Sequence, residues 1–562
     1  MAFDLLIKNG TVVDGTGSPR YQADVGIADG KIVEVGKGLA GKAHRVIDAS
    51  NLIVSPGFVD PHTHYDAQIC WDPQVTSSSW NGVTTVLLGN CGVGIAPCKK
   101  DPQSRDVAAW DLVNLEAIPI EVLKAALTWD WETFPQYMDA AQRRGTAINL
   151  AFLAPLTPFR HFVMGPAALE RAATAEETMK IKALLRETVA AGAMGFSTTI
   201  CEGDIGYQGK PIACRLASND ELGAYADGLR ELGKGIIQIR LTQNPGTMTE
   251  SEYQLLELLV NRSSRPITWS SVRIREDRPD KGLDVLQKVD HLIKRRAIPQ
   301  VTCRPLMVEL NLHEPLLFSS LPCNKQLYNH PVDEQIRLYR DPQFRGMLRE
   351  QLNANPIHRV AFFGHPDEIE IVECAADPSL TGKSLAEAAR RRKQDPFDTL
   401  IELPLGDELK TRYLVPLFAS EDTLPILFND PRTLIGLADG GAHLDQICDA
   451  GYCTYLLGKW VRERKALTLE FAIKRLTSEP AALLNLHDRG RIAPSFAADI
   501  AIFDFDKVDS PRKGVYRSDL PGGHRRLVAP AQGMAYVIVN GVPVHQNNEY
   551  TGATPGVVLR SR

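Results

Sequence analysis

"LIVSPGFVDPHTHYD", residues 52–66, decides how this chain is read. An apolar run breaks at Ser-Pro-Gly, resumes briefly and ends on two histidines one residue apart. On a strand, residues i and i+2 face the same way. His62 and His64 therefore converge while Thr63 points away. Two converging imidazoles are half of a metal site or a coincidence, and the rest of the chain has to decide.

Seven more apolar strand candidates follow: "VTTVLLGNCG" (83–92), "TAINLAFLAP" (146–155), "AMGFSTTI" (193–200), "GIIQIRL" (235–241), "PITWSSV" (266–272), "PQVTCRP" (299–305) and "LIGLADGG" (434–441). Helical stretches such as "AEETMKIKALLRETVAAG" (175–192) and "NDELGAYADGLRELG" (219–233) lie between most of them. Eight strand–helix units predict an α/β fold, a (β/α)8 TIM barrel. The interval 305–433 is read as a long insertion of helical and irregular stretches covering one side of the barrel. Both chain ends have another texture, with short strands broken by Asn-Gly, Asp-Gly and Ser-Pro-Gly. They predict one small β-sandwich domain built from residues 1–57 and 487–562, with the barrel spanning 58–486.

In such barrels the active site lies at the C-terminal ends of the strands. Strand one ends in His62 and His64, strand two in Asn90-Cys91-Gly92, and strand eight in Asp439, followed by His443. His, Cys and Asp are transition-metal ligand types, and the mixed nitrogen, sulfur and oxygen set suits zinc. Each alone has an ordinary explanation: polar loop residues, a buried thiol, an Asp before Gly-Gly in a turn. In a closed barrel strands eight, one and two are neighbours, so together they predict a metal site of His62, His64, Cys91 and Asp439. His443 either orients Asp439 or shuttles a proton, provided the chain turns helical after Asp439, or it is a rim histidine bonded to backbone.

Three further strand ends carry Arg240, Arg273 and Arg304. Either they face a substrate carboxylate or they pair with carboxylates at the rim. Arg240 ranks first, since Gln238 shares its face of the strand.

The net charge is −5 over 562 residues, with Lys and Arg dispersed, so no nucleic-acid partner is expected. No apolar run is long enough to span a membrane, and no secretory leader is expected. The ten cysteines have no repeated spacing and read as reduced thiols of a cytoplasmic protein. The insertion is either a lid or a subunit interface, so a homo-oligomer stays open.

"PGFVDPHTHYD" resembles the metal-binding signature of the amidohydrolase superfamily. "GRIAPSFAADIAIFD" (490–504) resembles the strands that return to its small domain, and "TTVLLGNCGVGIAP" (84–97) is similar to the D-aminoacylase branch. The resemblance implies a zinc-dependent hydrolase of N-acyl-D-amino acids. It makes His62, His64 and Cys91 ligands, and Asp439 a ligand as well as the general base and acid. The chain departs from the branch at two metal histidines. Strand five has Gln238, and strand six has Trp269 or Ser270, which as former ligand positions are read as lining the pocket. One metal ion is therefore expected. The alternatives are the same site catalysing ester or lactam hydrolysis, dehydration or cyclisation, or a scaffold without catalysis.

Overall fold

The computed structural model describes residues 2–244, 246–274, 281–319, 321–327, 330–418 and 420–561. Eight barrel strands succeed one another. Strands one and two are Phe58–Asp60 and Val83–Leu88, and strand three is Asn149–Phe152 continued by Ala154–Pro155. Strands four to eight are Gly195–Thr199, Ile236–Arg240, Ile267–Ser270, Ala297–Val301 and Leu434–Ile435. Neighbours pair in parallel throughout. Strands one and eight meet through a parallel bridge from Thr63 to Gly440, where the His64 N–H donates to the Gly440 carbonyl at 2.7 Å. Closure removes the exposed edges.

The strands are short and apolar because both faces are covered. Strand two is buried at every residue. Outside it lie helices whose starts are written in the sequence. Phe134–Arg144, Ala175–Ala190, Asn219–Leu232 and Glu250–Ser263 each begin with a reciprocal capping box. Each box satisfies N–H groups that would otherwise lack partners. The largest apolar cluster fills the space between strands and helices.

Strands from both chain ends form one nine-stranded sheet. It forks at Ala2–Val12, whose single edge pairs first with Lys42–Asp48 and then with Ile53–Pro56. Ile500–Phe503 pairs antiparallel with Ile53–Pro56, which ties the C-terminal strands to the N-terminal ones. One short Gly57 link then carries the chain into barrel strand one. The chain end does not stay in this sheet: Val558–Leu559 pairs in parallel with Asn149–Phe152 in the barrel wall.

The 305–433 insertion has an apolar core of its own around Tyr339, Leu348 and Tyr413. It also has a three-stranded antiparallel sheet, which the sequence reading lacks. Arg412–Phe418 is the middle strand, between Leu306–Leu310 and Glu370–Glu373. Pro416 argues against a central strand. The structure accommodates it where only one neighbour remains, beside a bulge at Leu306/Met307. Among the described residues no helix is long and apolar enough to cross a membrane.

Candidate metal centre

His62 and His64 leave strand one toward the barrel mouth, with ring centroids 5.3 Å apart. Thr63 points the other way and donates its hydroxyl to the Leu87 carbonyl at 2.8 Å. Both imidazoles are buried. His62 Nδ1 lies 2.6 Å from Gln300 Oε1. Gln300 Nε2 donates to Thr268 Oγ1 at 3.0 Å, so its oxygen is the acceptor and His62 Nδ1 carries the proton. The Nε2 lone pair of His62 is thereby aimed at Cys91 Sγ, 3.4 Å away.

Cys91 reaches this point through an unusual backbone. Gly89, Cys91 and Gly92 have φ of 76°, 55° and 75°. At Gly89 a Cβ would meet the Leu153 carbonyl oxygen at 2.3 Å, so only glycine fits. Cys91 itself is held in a conformation that costs a non-glycine residue of order 1 kcal/mol. Its neighbours fix it there. The Cys91 N–H donates to Gln238 Oε1 at 2.6 Å, the Gly92 N–H to Ser197 Oγ at 2.9 Å, and Asn90 Nδ2 to the Thr63 carbonyl at 3.1 Å.

Asp439 completes the cluster, with Oδ1 3.3 Å from His62 Nε2 and 3.7 Å from His64 Nε2. It is the member open to the mouth, its side chain 27% exposed. Donor atoms of His62, His64 and Cys91 all lie within 4.8 Å of one another. Burial alone would raise the Cys91 thiol, but the two imidazoles bring it down to about 6. Burial alone would discharge the rings, but Cys91 and Asp439 hold His62 above its ordinary value, and Glu116 and Asp439 do the same for His64. Asp439 stays far below the usual carboxylate range despite its burial, because both rings face it. The Cys91 sulfur and the two imidazoles converge, with the Asp439 carboxylate against both rings, and this donor set fits zinc.

Supporting residues carry no sequence signal. Glu116 ends the helix Pro102–Glu116, is buried, and places Oε1 3.3 Å from His64 Nδ1. Asp66 accepts the Gly89 N–H at 3.1 Å and so braces the turn that presents Cys91. Carboxylate and amide partners of this kind orient ligand histidines in metal sites.

The remaining candidates divide. Gln238 is fully buried, and its amide is spent on Cys91, with Nε2 also 3.9 Å from the sulfur. It positions that residue rather than a substrate. Arg304 is a structural anchor. It donates to Asp449 Oδ1 and to the carbonyls of Pro511 and Arg512, each at 3.0 Å, and stacks over Tyr455. Arg240 is ion-paired to Asp204, yet its side chain is 47% exposed. Arg273 lies beyond strand six, with Nε 3.4 Å from Ser271 Oγ. Trp269 cannot line the pocket, because it packs in the apolar core and donates its indole N–H to the Ala297 carbonyl at 3.3 Å. Thr268, in register with Gln238, occupies the inward position instead. After strand eight the chain is not helical, as Asp439, Gly441 and His443 have φ of 44°, 90° and 48°. The helical argument for His443 therefore lapses. Its Nδ1 is buried without a hydrogen-bond partner, and burial lowers the ring to about 4.

A barrel with this donor set at the mouth defines the amidohydrolase class. The chain belongs to the amidohydrolase family, whose profile matches residues 45–305 and 339–545. It is 27% identical to a D-aminoacylase of Alcaligenes xylosoxydans xylosoxydans, over 99% of this chain and 97% of that protein. An N-acyl-D-glutamate deacylase of the same organism is also 27% identical, over 99% of this chain and 96% of that one. Among solved structures, a D-aminoacylase mutant in complex with CuCl2 superposes with a TM-score of 0.69 and 25% identity, covering 99% of this chain and all of the other.

Proposed function

We propose that this chain hydrolyses the amide bond of N-acyl-D-amino acids with one zinc ion held by His62, His64, Cys91 and Asp439. The observation that carries the reading is the convergence of His62, His64 and Cys91 from strands one and two, with Asp439 of strand eight against both rings. The D-aminoacylase and deacylase relatives, matched over nearly their whole length, support the substrate class. When bound, the ion supplies Lewis acidity toward the scissile carbonyl and toward water.

The chain's own residues do the rest. Asp439, ionised at neutral pH and open to the mouth, accepts the proton of the attacking water and returns it to the departing nitrogen. Gln300 holds the His62 ring by a hydrogen bond, and Glu116 faces His64 Nδ1 at 3.3 Å as its ionic partner, which leaves both Nε2 atoms to the reaction. Arg240 and Arg273 are the residues proposed to bind the substrate carboxylate. The ten cysteines form no disulfide, which fits a cytoplasmic setting.

The test is reconstitution of chelated enzyme with zinc against a panel of N-acetyl-D- and N-acetyl-L-amino acids. Activity is expected to rise to a plateau at about one equivalent, favour the D series, and vanish in His62→Ala and Cys91→Ala. Turnover of no N-acyl amino acid by zinc-loaded protein refutes the substrate class. A plateau at about two equivalents refutes the single ion.

A further inference from the structure

Asp439 stands on a loop that strand eight does not hold by itself. Leu437, Asp439 and His443 all have left-handed backbone, with φ of 62°, 44° and 48°. Non-glycine residues persist in that conformation only where their surroundings over-determine it. Strand one fixes the near end of the loop. The His64 N–H donates to the Gly440 carbonyl, and at Gly441 a Cβ would meet the His64 carbonyl oxygen at 2.7 Å. The far end is held from outside the barrel. The Leu444 carbonyl accepts from the Leu527 N–H at 2.6 Å, the Asp445 carbonyl from the Arg412 guanidinium, and the Gln446 carbonyl from the Glu309 N–H at 2.7 Å.

Arg412 is the charged member of this set, and its side chain is 5% exposed. Its Nε donates to Glu309 Oε2 at 3.1 Å and its Nη1 to Asp445 Oδ2 at 2.9 Å, while Nη2 takes the Asp445 carbonyl. Glu309, equally buried, also accepts the Tyr516 hydroxyl. Tyr516 belongs to an antiparallel hairpin of Val515–Arg517 and Arg526–Val528, the same hairpin that brings Leu527 to the loop. One guanidinium thus joins the 305–433 insertion, the strand-eight loop and the C-terminal hairpin. Its planar fork makes these contacts together, which a lysine ammonium cannot reproduce. Without it the two carboxylates fare differently. Asp445, 25% exposed, can turn to water and draw its backbone with it, whereas Glu309 is left buried.

We propose that Arg412 is a positioning residue for the hydrolysis: from the insertion it clamps the strand-eight loop and so sets the Asp439 carboxylate against His62 and His64. The insertion is then part of the catalytic apparatus rather than a cover laid over the barrel. Its docking determines where the general base stands. The catalytic consequence rests on the hydrolase reading above, whereas the clamp on the loop does not.

Three full-length variants test this: Arg412→Met, Arg412→Met with Glu309→Gln, and Arg160→Met. Arg160 is a control, since it is buried and paired with Glu221 on the outer helix Asn219–Leu232, away from the loop. Arg412→Met is expected to lower kcat about ten- to hundredfold and to leave KM within about twofold. It should also bind zinc about tenfold more weakly in competition with a chromophoric chelator. Hydrogen exchange should quicken in peptides that cover residues 437–447. Adding Glu309→Gln removes the stranded charge. The double variant is therefore expected to regain melting temperature but neither kcat nor zinc affinity. Wild-type kcat and zinc affinity per folded molecule in Arg412→Met overturn the role. So does their return together with the melting temperature in the double variant, or an equal loss in Arg160→Met. Should zinc-loaded wild type hydrolyse no N-acyl amino acid, the hydrolase reading fails on its own. Loop exchange then still decides the clamp, and exchange unchanged by Arg412→Met overturns it.

Discussion

Replacing Gln300 by leucine separates a metal site from a merely buried polar cluster. The wild-type amide is fully buried and makes two contacts, 2.6 Å to His62 Nδ1 and 3.0 Å to Thr268 Oγ1. Leucine removes both. A buried N–H left on His62 costs of order 1–3 kcal/mol. The ring can escape that cost by moving its proton to Nε2, but it then loses the lone pair aimed at Cys91 and Asp439. The penalty therefore appears in metal affinity. Loss of such an orienting partner weakens binding about ten- to hundredfold, or about 1.4–2.7 kcal/mol. A competition titration with a chromophoric zinc chelator measures it, with Gln300→Glu as the companion that keeps an acceptor and recovers most of the affinity. If Gln300→Leu lowers the melting temperature yet binds zinc as tightly as wild type, the His62 Nε2 atom is not a ligand and the reasoning fails.

Two further outcomes are expected. His545, on strand Val542–Gln546, is buried against Ser79 Oγ at 3.0 Å, and burial lowers its ring to about 4. The unfolded chain takes up this proton near the ordinary value of about 6.5. Unfolding therefore binds a proton between these values, and stability present above pH ~6.5 is lost as pH falls through about 4, by about 3 kcal/mol in all. His545→Gln is expected to flatten the fall in melting temperature over that window, and curves parallel to wild type refute the assignment. Arg304→Met leaves Asp449 buried without its 3.0 Å partner and is expected to destabilise by about 3–5 kcal/mol in urea unfolding. The folded fraction should keep its KM for carboxylated substrates, and a large rise in KM would return Arg304 to the substrate site.

The legible parts of this protein are those set by short-range periodicity. His62 and His64 share a face because a strand alternates, and the eight apolar runs are strands because helices cover them outside. The same alternation, applied across strands, also places Trp269. It lies one residue beyond Thr268, which is in register with Gln238, so its side chain must face the helices. What stayed hidden depends on partners far away in sequence. Gln300 looks like any polar residue of a strand until strand closure sets it beside His62, 238 positions earlier. Glu116 is separated from His64 by the whole of strand two and the length of the Pro102–Glu116 helix, and no motif marks it. Arg304 reads in the sequence as a strand-end arginine like Arg240, but it lies three residues past the end of strand seven, where Asp449 and two backbone carbonyls claim its guanidinium.

The arrangement of charge around the barrel bears on the number of ions. The anionic groups of the cluster, the Cys91 thiolate and Asp439, come from strands two and eight, with Glu116 behind His64. Strands five, six and seven contribute Gln238, Thr268 and Gln300, which are neutral and already bonded to one another or to Cys91 and His62. A dication among His62, His64, Cys91 and Asp439 meets two negative charges and two imidazoles. A second dication on the Gln238 side would add charge where only neutral oxygens stand. In a buried site the repulsion between two such ions is weakly screened and needs a bridging anion on both sides. On the side of strand five the sulfur of Cys91 is met by Gln238, whose Nε2 lies 3.9 Å away. The neutral side chains of strands five, six and seven thus favour the single ion proposed above on electrostatic grounds, independently of how poorly an amide ligates zinc.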